Sequence, residues 1–223
     1  MNPSPGAQRA TLAVELRVAA AALERLAAGA ALPAALDAAM AGKAGAGLSA
    51  ASRAAVRDMA SRTVRAWGLC RALAAQLNQR PPGPAMLALQ QVVLAQLLDP
   101  VRPDATTVDQ AIEAAKADPA LRRGAGFLNA TLRRFLRERE ALVGQALEDP
   151  VARWNFPAWW IDTLREAYPD RWEAILEQGN QEPPLTLRVN IRRTTVEDWL
   201  AGLAEAGIAA TRAGPQPGRL EAA

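Results

Sequence analysis

The sequence predicts a mainly α fold: a bundle of seven or so helices followed by the start of a small, incomplete α+β subdomain. Three observations lead there. Half of the 223 residues are hydrophobic, but Ala and Leu carry that content and only ten residues are aromatic (6 Trp, 3 Phe, 1 Tyr), a bias toward helix over sheet. Apolar residues recur every three to four positions up to about residue 148, and no strand-like alternation occurs before residue 180. From Pro150 the composition changes, with Trp154, Phe156, Trp159, Trp160, Tyr168 and Trp172 crowded into a short stretch that marks a new domain.

Residues 1–8 read as a frayed, disordered leader. Leu12, Leu16, Ala19, Leu23 and Leu26 have the spacing of an amphipathic helix, which Gly29 and Pro33 close, and a short helix is expected over roughly 34–40. Ser49 is placed to cap a long helix reaching about Cys70, with a further helix over 72–78 before Arg80-Pro81-Pro82-Gly83-Pro84 forces a break. The run Leu87, Val92, Val93, Leu94, Leu97 and Leu98 is apolar over much of its circumference and predicts the most buried helix, ending at Asp99-Pro100. A helix from Thr106 or Thr107 to Lys116 and a last one over about 126–147 complete the bundle.

Beyond it, helices are expected over roughly 157–167 and 169–179, Pro157 standing where an N1 proline belongs. Leu185-Thr186-Leu187-Arg188-Val189-Asn190 alternates as a half-buried strand does, 196–206 reads as a helix ended by Gly207, and 208–211 and 219–221 are strand candidates. The last of these has no evident partner, so the sheet is expected to be incomplete and the chain a fragment. The domain reading is a leader over 1–8, an all-α domain over 9–148 and an α+β subdomain over 149–223.

Several chemistries are excluded at once. Without histidine there is no Ser-His-Asp triad, Cys–His dyad or imidazole proton shuttle, and the single cysteine, Cys70, forms no internal disulfide. Cys70 on its apolar helix is expected to be an inert, buried thiol, and no metal site is expected. The glycine-rich 42–47 loop has neither the residue order nor the preceding strand of a phosphate-binding loop. No stretch of 18 apolar residues exists, so no membrane span is expected, and a reducing, cytoplasmic location fits the cysteine usage.

The informative charge is arginine. Lys+Arg total 26 against 23 Asp+Glu, and lysine occurs only at Lys43 and Lys116. Residues 1–80 carry ten cations against four acids, with Arg53, Arg57, Arg62, Arg65 and Arg71 supplying a positive field. In the last helix of the bundle, Phe127, Leu128, Leu132, Phe135 and Leu136 share one face while Arg133, Arg134 and Arg137 project together, with Arg122 and Arg123 just upstream. From periodicity this is either a solvated face or a phosphate-binding ridge; the aromatic cluster is likewise either core or a stacking platform. No catalytic constellation is evident.

Gly126-Phe127-Leu128-Asn129-Ala130-Thr131-Leu132-Arg133-Arg134-Phe135 resembles the signature that ends the NusB-like domain of the RsmB (Sun/Fmu) family, the ribosomal small-subunit RNA cytosine-5 methyltransferases. Residues 106–116 resemble the helix before that signature, with Thr where the family often has His. Trp159-Trp160 through Tyr168-Pro169 and Asn180-Gln181-Glu182-Pro183-Pro184-Leu185-Thr186-Leu187-Arg188-Val189-Asn190 match further family segments in order. The resemblance implies a NusB-like bundle that binds small-subunit ribosomal RNA, with Arg133, Arg134, Arg137, Arg122 and Arg123 as contacts; Arg188 and Asn190 on the strand either help grip RNA or dock on the missing catalytic domain, and Arg188 is equally placed to be a structural ion-pair partner. It also implies S-adenosylmethionine for the full-length enzyme, none in this chain, and a missing C-terminal catalytic domain in cis as partner. The chain alone is expected to be a catalytically inactive monomer. The alternative is a NusB-type adaptor in transcription antitermination, without catalysis.

Overall fold

The computed structural model describes residues 10–181, 183–212 and 219–222, the last four by backbone alone, so the expected leader lies outside the described residues. Two compact units divide at Asn180 and Gln181.

The first unit holds α1 (Leu12–Ala27), α2 (Leu32–Ala41), α3 (Ala50–Arg65), α4 (Trp67–Leu77), α5 (Pro84–Leu98), α6 (Asp104–Ala117), a 3₁₀ turn (Arg122–Gly124) and α7 (Ala125–Ala146), then α8 (Pro150–Trp154), α9 (Ala158–Ala167) and α10 (Trp172–Asn180). The seven helices expected before residue 148 are present, and the unit has no strand among its described residues. Helix α5 is the axis of the bundle. It packs against α1, α3, α4, α6 and α7, and its residues from Ala88 to Leu97 are buried all round, as its unbroken apolar sequence requires. Leu16, Leu23, Met59, Leu73, Leu128 and Phe135 fill the space around it.

Of the buried glutamines on α5, Gln90 is the one held most closely by a partner. The side-chain amides of Asn78 and Gln90 bond reciprocally, Asn78 Nδ2 donating to Gln90 Oε1 at 2.8 Å and Gln90 Nε2 to Asn78 Oδ1 at 3.0 Å. This pair ties the start of the proline-rich connection, residues 78–83, to the middle of α5. Ser49 caps α3 as expected, its hydroxyl accepting the Ser52 N–H.

One boundary differs from expectation. The helix starting at Ser49 stops at Arg65, and Ala66 (φ −117°, ψ 19°) separates it from α4, where the sequence predicted continuity to Cys70. The cause is tertiary. Asn155, in the left-handed conformation (φ 58°) after α8, donates to the Val64 carbonyl at 3.0 Å and accepts the Gly68 N–H at 2.7 Å, bracketing Ala66. Helix α8 was not expected; Asp149 caps it by accepting the Val151 N–H.

The aromatic stretch divides in two. Trp154, Ile161, Leu164 and Leu176 form a small core joined by Phe156, Trp172 and Ile175, with Trp154 and Trp172 edge to face at 5.3 Å. Trp159, Trp160 and Tyr168 stay exposed.

The second unit contains β1 (Thr186–Arg188), α11 (Val196–Glu205), β2 (Ala210–Arg212) and β3 (Arg219–Ala222). Sheet order is β1-β3-β2, antiparallel throughout, with Leu187 opposite Leu220 and Thr211 opposite Glu221. The strand expected to lack a partner is thus the central one, flanked on both sides: pairing order is set by the return path of the chain, which local alternation does not encode. Thr195 caps α11, accepting the Asp198 N–H, and Val196, Leu200 and Leu203 pack with Val189 as a minimal core.

Candidate nucleic-acid interface

Helix α7 carries the candidate interface because its two faces differ. Leu128, Leu132 and Phe135 are fully buried and anchor it to the bundle, where it packs against α4, α5 and α6. Phe127 and Leu136, expected on the buried stripe, are only half-buried and lie along its edge. The opposite stripe, Gly126, Ala130, Arg133 and Arg137, is exposed along its whole length. Arg133 and Arg137 stand one turn apart on it, neither with a carboxylate partner among the described residues; Arg133 Nε is steadied by Asn129 Oδ1 at 2.9 Å.

Arg134 does not project with them. Its Nε pairs with Glu138 Oε2 at 2.9 Å and its Nη1 donates to the Gln76 carbonyl at 3.3 Å, drawing the side chain toward α4. Glu138 also marks a break in the helix (φ −115°, ψ 17°) immediately after Arg137. Arg122 and Arg123 sit exposed in the 3₁₀ turn before α7, Arg122 held to the Lys116 carbonyl at 3.0 Å. From Arg123 to Arg137 the cationic stripe runs for about 20 Å at the α-helical rise per residue.

The wider arginine field is divided. Arg62, its side chain 12% exposed, is bound by Asp99 and faces Asp58, so its charge is locally compensated. Arg53 donates to the Leu48 carbonyl, whereas Arg57 and Arg71 are exposed.

Arg188 and Asn190 belong to the second unit. Arg188 is exposed at the end of β1; Asn190 accepts the Arg192 N–H on its side chain and those of Arg193 and Thr194 on its carbonyl, shaping the turn after the strand.

Two further residues, which the sequence reading treated only as a break and as core, meet in a groove beside α7. Arg80, from the proline-rich connection, and Phe127 line it together with Leu77, Gln79, Ala130, Thr131 and Arg134, around about 540 Å³. Phe127, Ala130 or Thr131, and Arg134 follow the i, i+3/i+4, i+7 rhythm of one helix face, which was the available signal.

The family described as Methyltr_RsmF/B-like, ferredoxin-like domain matches residues 156–220. The chain is 39% identical over 159 residues to the ribosomal RNA small subunit methyltransferase B of Pseudomonas putida, covering 70% of this chain and 36% of that protein. To the protein of the same name from Escherichia fergusonii it is 38% identical over 122 residues, 54% of this chain and 28% of that one. The chain belongs to the RsmB family. It spans about a third of the length of these RsmB relatives. The crystal structure of PH0851 shares the fold, with a TM-score of 0.59 at 15% identity, over 96% of this chain and 49% of that one.

The glycine-rich 42–47 loop of this RsmB-family chain does not fit S-adenosylmethionine. In the glycine-rich 42–47 loop, a Cβ on Gly45 would stand 2.6 Å from the Met40 backbone, so that glycine closes the turn onto α2 and leaves no cradle for a ligand. Cys70 is fully buried among apolar side chains, and burial pushes its thiol up to about 12, far from the thiolate that a cysteine nucleophile must supply. Among the described residues no group of three or more His, Cys, Asp or Glu could hold a metal ion, and no helix is long and apolar enough to cross a membrane.

Proposed function

We propose that this chain is the RNA-holding part of a ribosomal small-subunit RNA cytosine-5 methyltransferase, with residues 9–148 as the RNA-binding domain and 149–223 as a subdomain beside the catalytic domain. The observation that carries the reading is the exposed stripe of α7, where Arg133 and Arg137 have no carboxylate partner among the described residues and stand on a helix anchored to the bundle. Guanidinium groups fixed one turn apart suit successive phosphates of an RNA backbone, and they position the strand without reading its sequence. Arg122 and Arg123 extend the contact, Arg134 contributes from the groove side, and Arg188 with Asn190 assists from the second unit.

The match of residues 156–220 to the RsmF/B-like domain favours this reading over an antitermination adaptor. In the second unit, exposed Leu185, Leu187 and Ile191 suit the docking of a further domain in cis, which would bring S-adenosylmethionine and the catalytic residues; the chain alone then binds RNA in the cytoplasm as a monomer and transfers no methyl group. The test is a salt titration of binding to small-subunit ribosomal RNA fragments against a scrambled RNA. Tight binding that falls steeply with salt and prefers one ribosomal hairpin supports the proposal; weak binding indifferent to both overturns it.

A further inference from the structure

Beside the arginine stripe, the groove at the first half of α7 combines three features that no packing requirement explains together. Phe127 is half-buried with part of its ring lining open space, although two more turns of α7 could have buried a phenylalanine fully, as they do Phe135. Arg80 is exposed on a connection that Pro81, Pro82 and Pro84 stiffen, and it has no carboxylate partner among the described residues. The same two residues line the adjoining recess of about 470 Å³ with Glu24, so the cavity continues past Phe127 toward an acidic end.

Resting on the RNA-holding reading above, we propose that this groove seats one unstacked nucleotide of single-stranded RNA. The base lies against the Phe127 ring between the apolar walls of Leu77 and Ala130, and its phosphate is held by Arg80 with Arg134. Arg80 borders both recesses, but Arg134 lines the groove and not the Glu24 recess, so the two guanidinium groups come together on the groove side. Size agrees, since the groove falls within the roughly 300–1,000 Å³ of small-ligand sites. Ala130 borders both the groove and the exposed stripe, so a strand lying along Arg133 and Arg137 reaches the groove without leaving α7. Arg134, held by Glu138 and the Gln76 carbonyl, is already fixed at the groove wall before RNA arrives.

The experiment compares binding of the whole chain to an oligouridylate of about twelve nucleotides, to the same length of RNA backbone carrying abasic residues, and to an RNA duplex of that length. Phe127→Leu keeps the apolar volume and removes the stacking face; it is expected to weaken the oligouridylate about five-fold or more while leaving the abasic strand and the duplex unchanged. Arg80→Ala is expected to weaken both single strands and to lower the salt slope by about 0.7. The proposal is overturned if both variants bind oligouridylate as the parent does while Arg133→Glu with Arg137→Glu weakens it, a result that leaves the stripe reading intact. If the groove variants weaken binding and the stripe variant does not, the groove stands and the stripe reading falls. If the parent binds none of the three RNAs, both fall. Arg80 is exposed and outside any helix, so Arg80→Ala carries the test even if Phe127→Leu proves unstable.

Discussion

Asn155 holds Gly68 through the backbone: its side-chain oxygen accepts the Gly68 N–H at 2.7 Å, while its amide donates to the Val64 carbonyl at 3.0 Å and to Asn180 Oδ1 at 3.2 Å. Asn180 in turn donates to the Trp154 carbonyl at 2.6 Å. Two asparagines therefore clamp α8 and α10 onto the break between α3 and α4, and a left-handed residue suits that place because asparagine tolerates the conformation better than most. Gly68 is there for space, since a Cβ at that position would meet the Val151 carbonyl oxygen at 2.3 Å.

Gly68→Ala should accordingly cost more than an ordinary overpacking substitution, at or above about 3 kcal/mol, because the atoms its Cβ meets belong to backbone and have little room to give way. Asn155→Ala, which strands the Gly68 donor and the Val64 acceptor, should cost about 1–3 kcal/mol. Urea unfolding followed by tryptophan fluorescence measures both, Trp154 and Trp172 reporting on the clamped helices. Equal midpoints for Gly68→Ala and the parent would refute the close approach.

Reversing the free charges on α7 should act on RNA affinity and leave stability alone. Arg133→Glu with Arg137→Glu removes two phosphate contacts, so the slope of log affinity against log salt should flatten by roughly one to two units. The unfolding free energy should stay within about 0.5 kcal/mol of the parent's, because both side chains are exposed and carry no ion pair among the described residues. An unchanged slope would mean that RNA, if bound, lies elsewhere.

How far the sequence anticipates this structure depends on whether a feature is local. The periodicity of α1, α5 and α7, the Ser49 cap and the strand at 186–188 are all carried by neighbouring residues, and they were legible. The break at Ala66 was not, because Val64-Arg65-Ala66-Trp67-Gly68 contains no proline or capping residue; Asn155, some ninety positions away, imposes it. The candidate stripe was half legible. Spacing grouped Arg133, Arg134 and Arg137, but Glu138, four residues after Arg134, competes for that one arginine, and an i, i+4 Arg–Glu pair was a readable warning. Arg80 and Phe127 meet through the path of the proline-rich connection, whose start the Asn78–Gln90 amide pair ties to α5, a long-range relationship that local spacing does not carry.

Cys70 should resist chemistry in the folded chain. Its thiol is fully buried and burial pushes it up to about 12, so iodoacetamide at pH 8.5 should label it at a negligible rate until urea unfolds the bundle. The raised value has a stability consequence of definite sign. The fold favours the neutral thiol, so the contribution is complete below the unfolded pKa near 9 and is lost as pH rises from there toward 12. Cys70→Ala should blunt that alkaline loss, at the cost of a small cavity; an identical pH profile between about 9 and 11 would show that other groups govern it.

The Asn78–Gln90 pair offers the sharpest separation between folding and binding. Gln90 is fully buried, so Asn78→Ala leaves its amide unsatisfied and should destabilise by about 1–3 kcal/mol. Replacing both residues with leucine removes the unmet donor and acceptor together and should recover much of that loss. The connection carrying Arg80 would nevertheless lose its anchor, so the double variant is expected to hold single-stranded RNA less well than its restored stability suggests, measured by urea unfolding and by oligouridylate binding on the same preparation. Recovery of stability with fully retained binding would show that the connection keeps its place by its prolines alone.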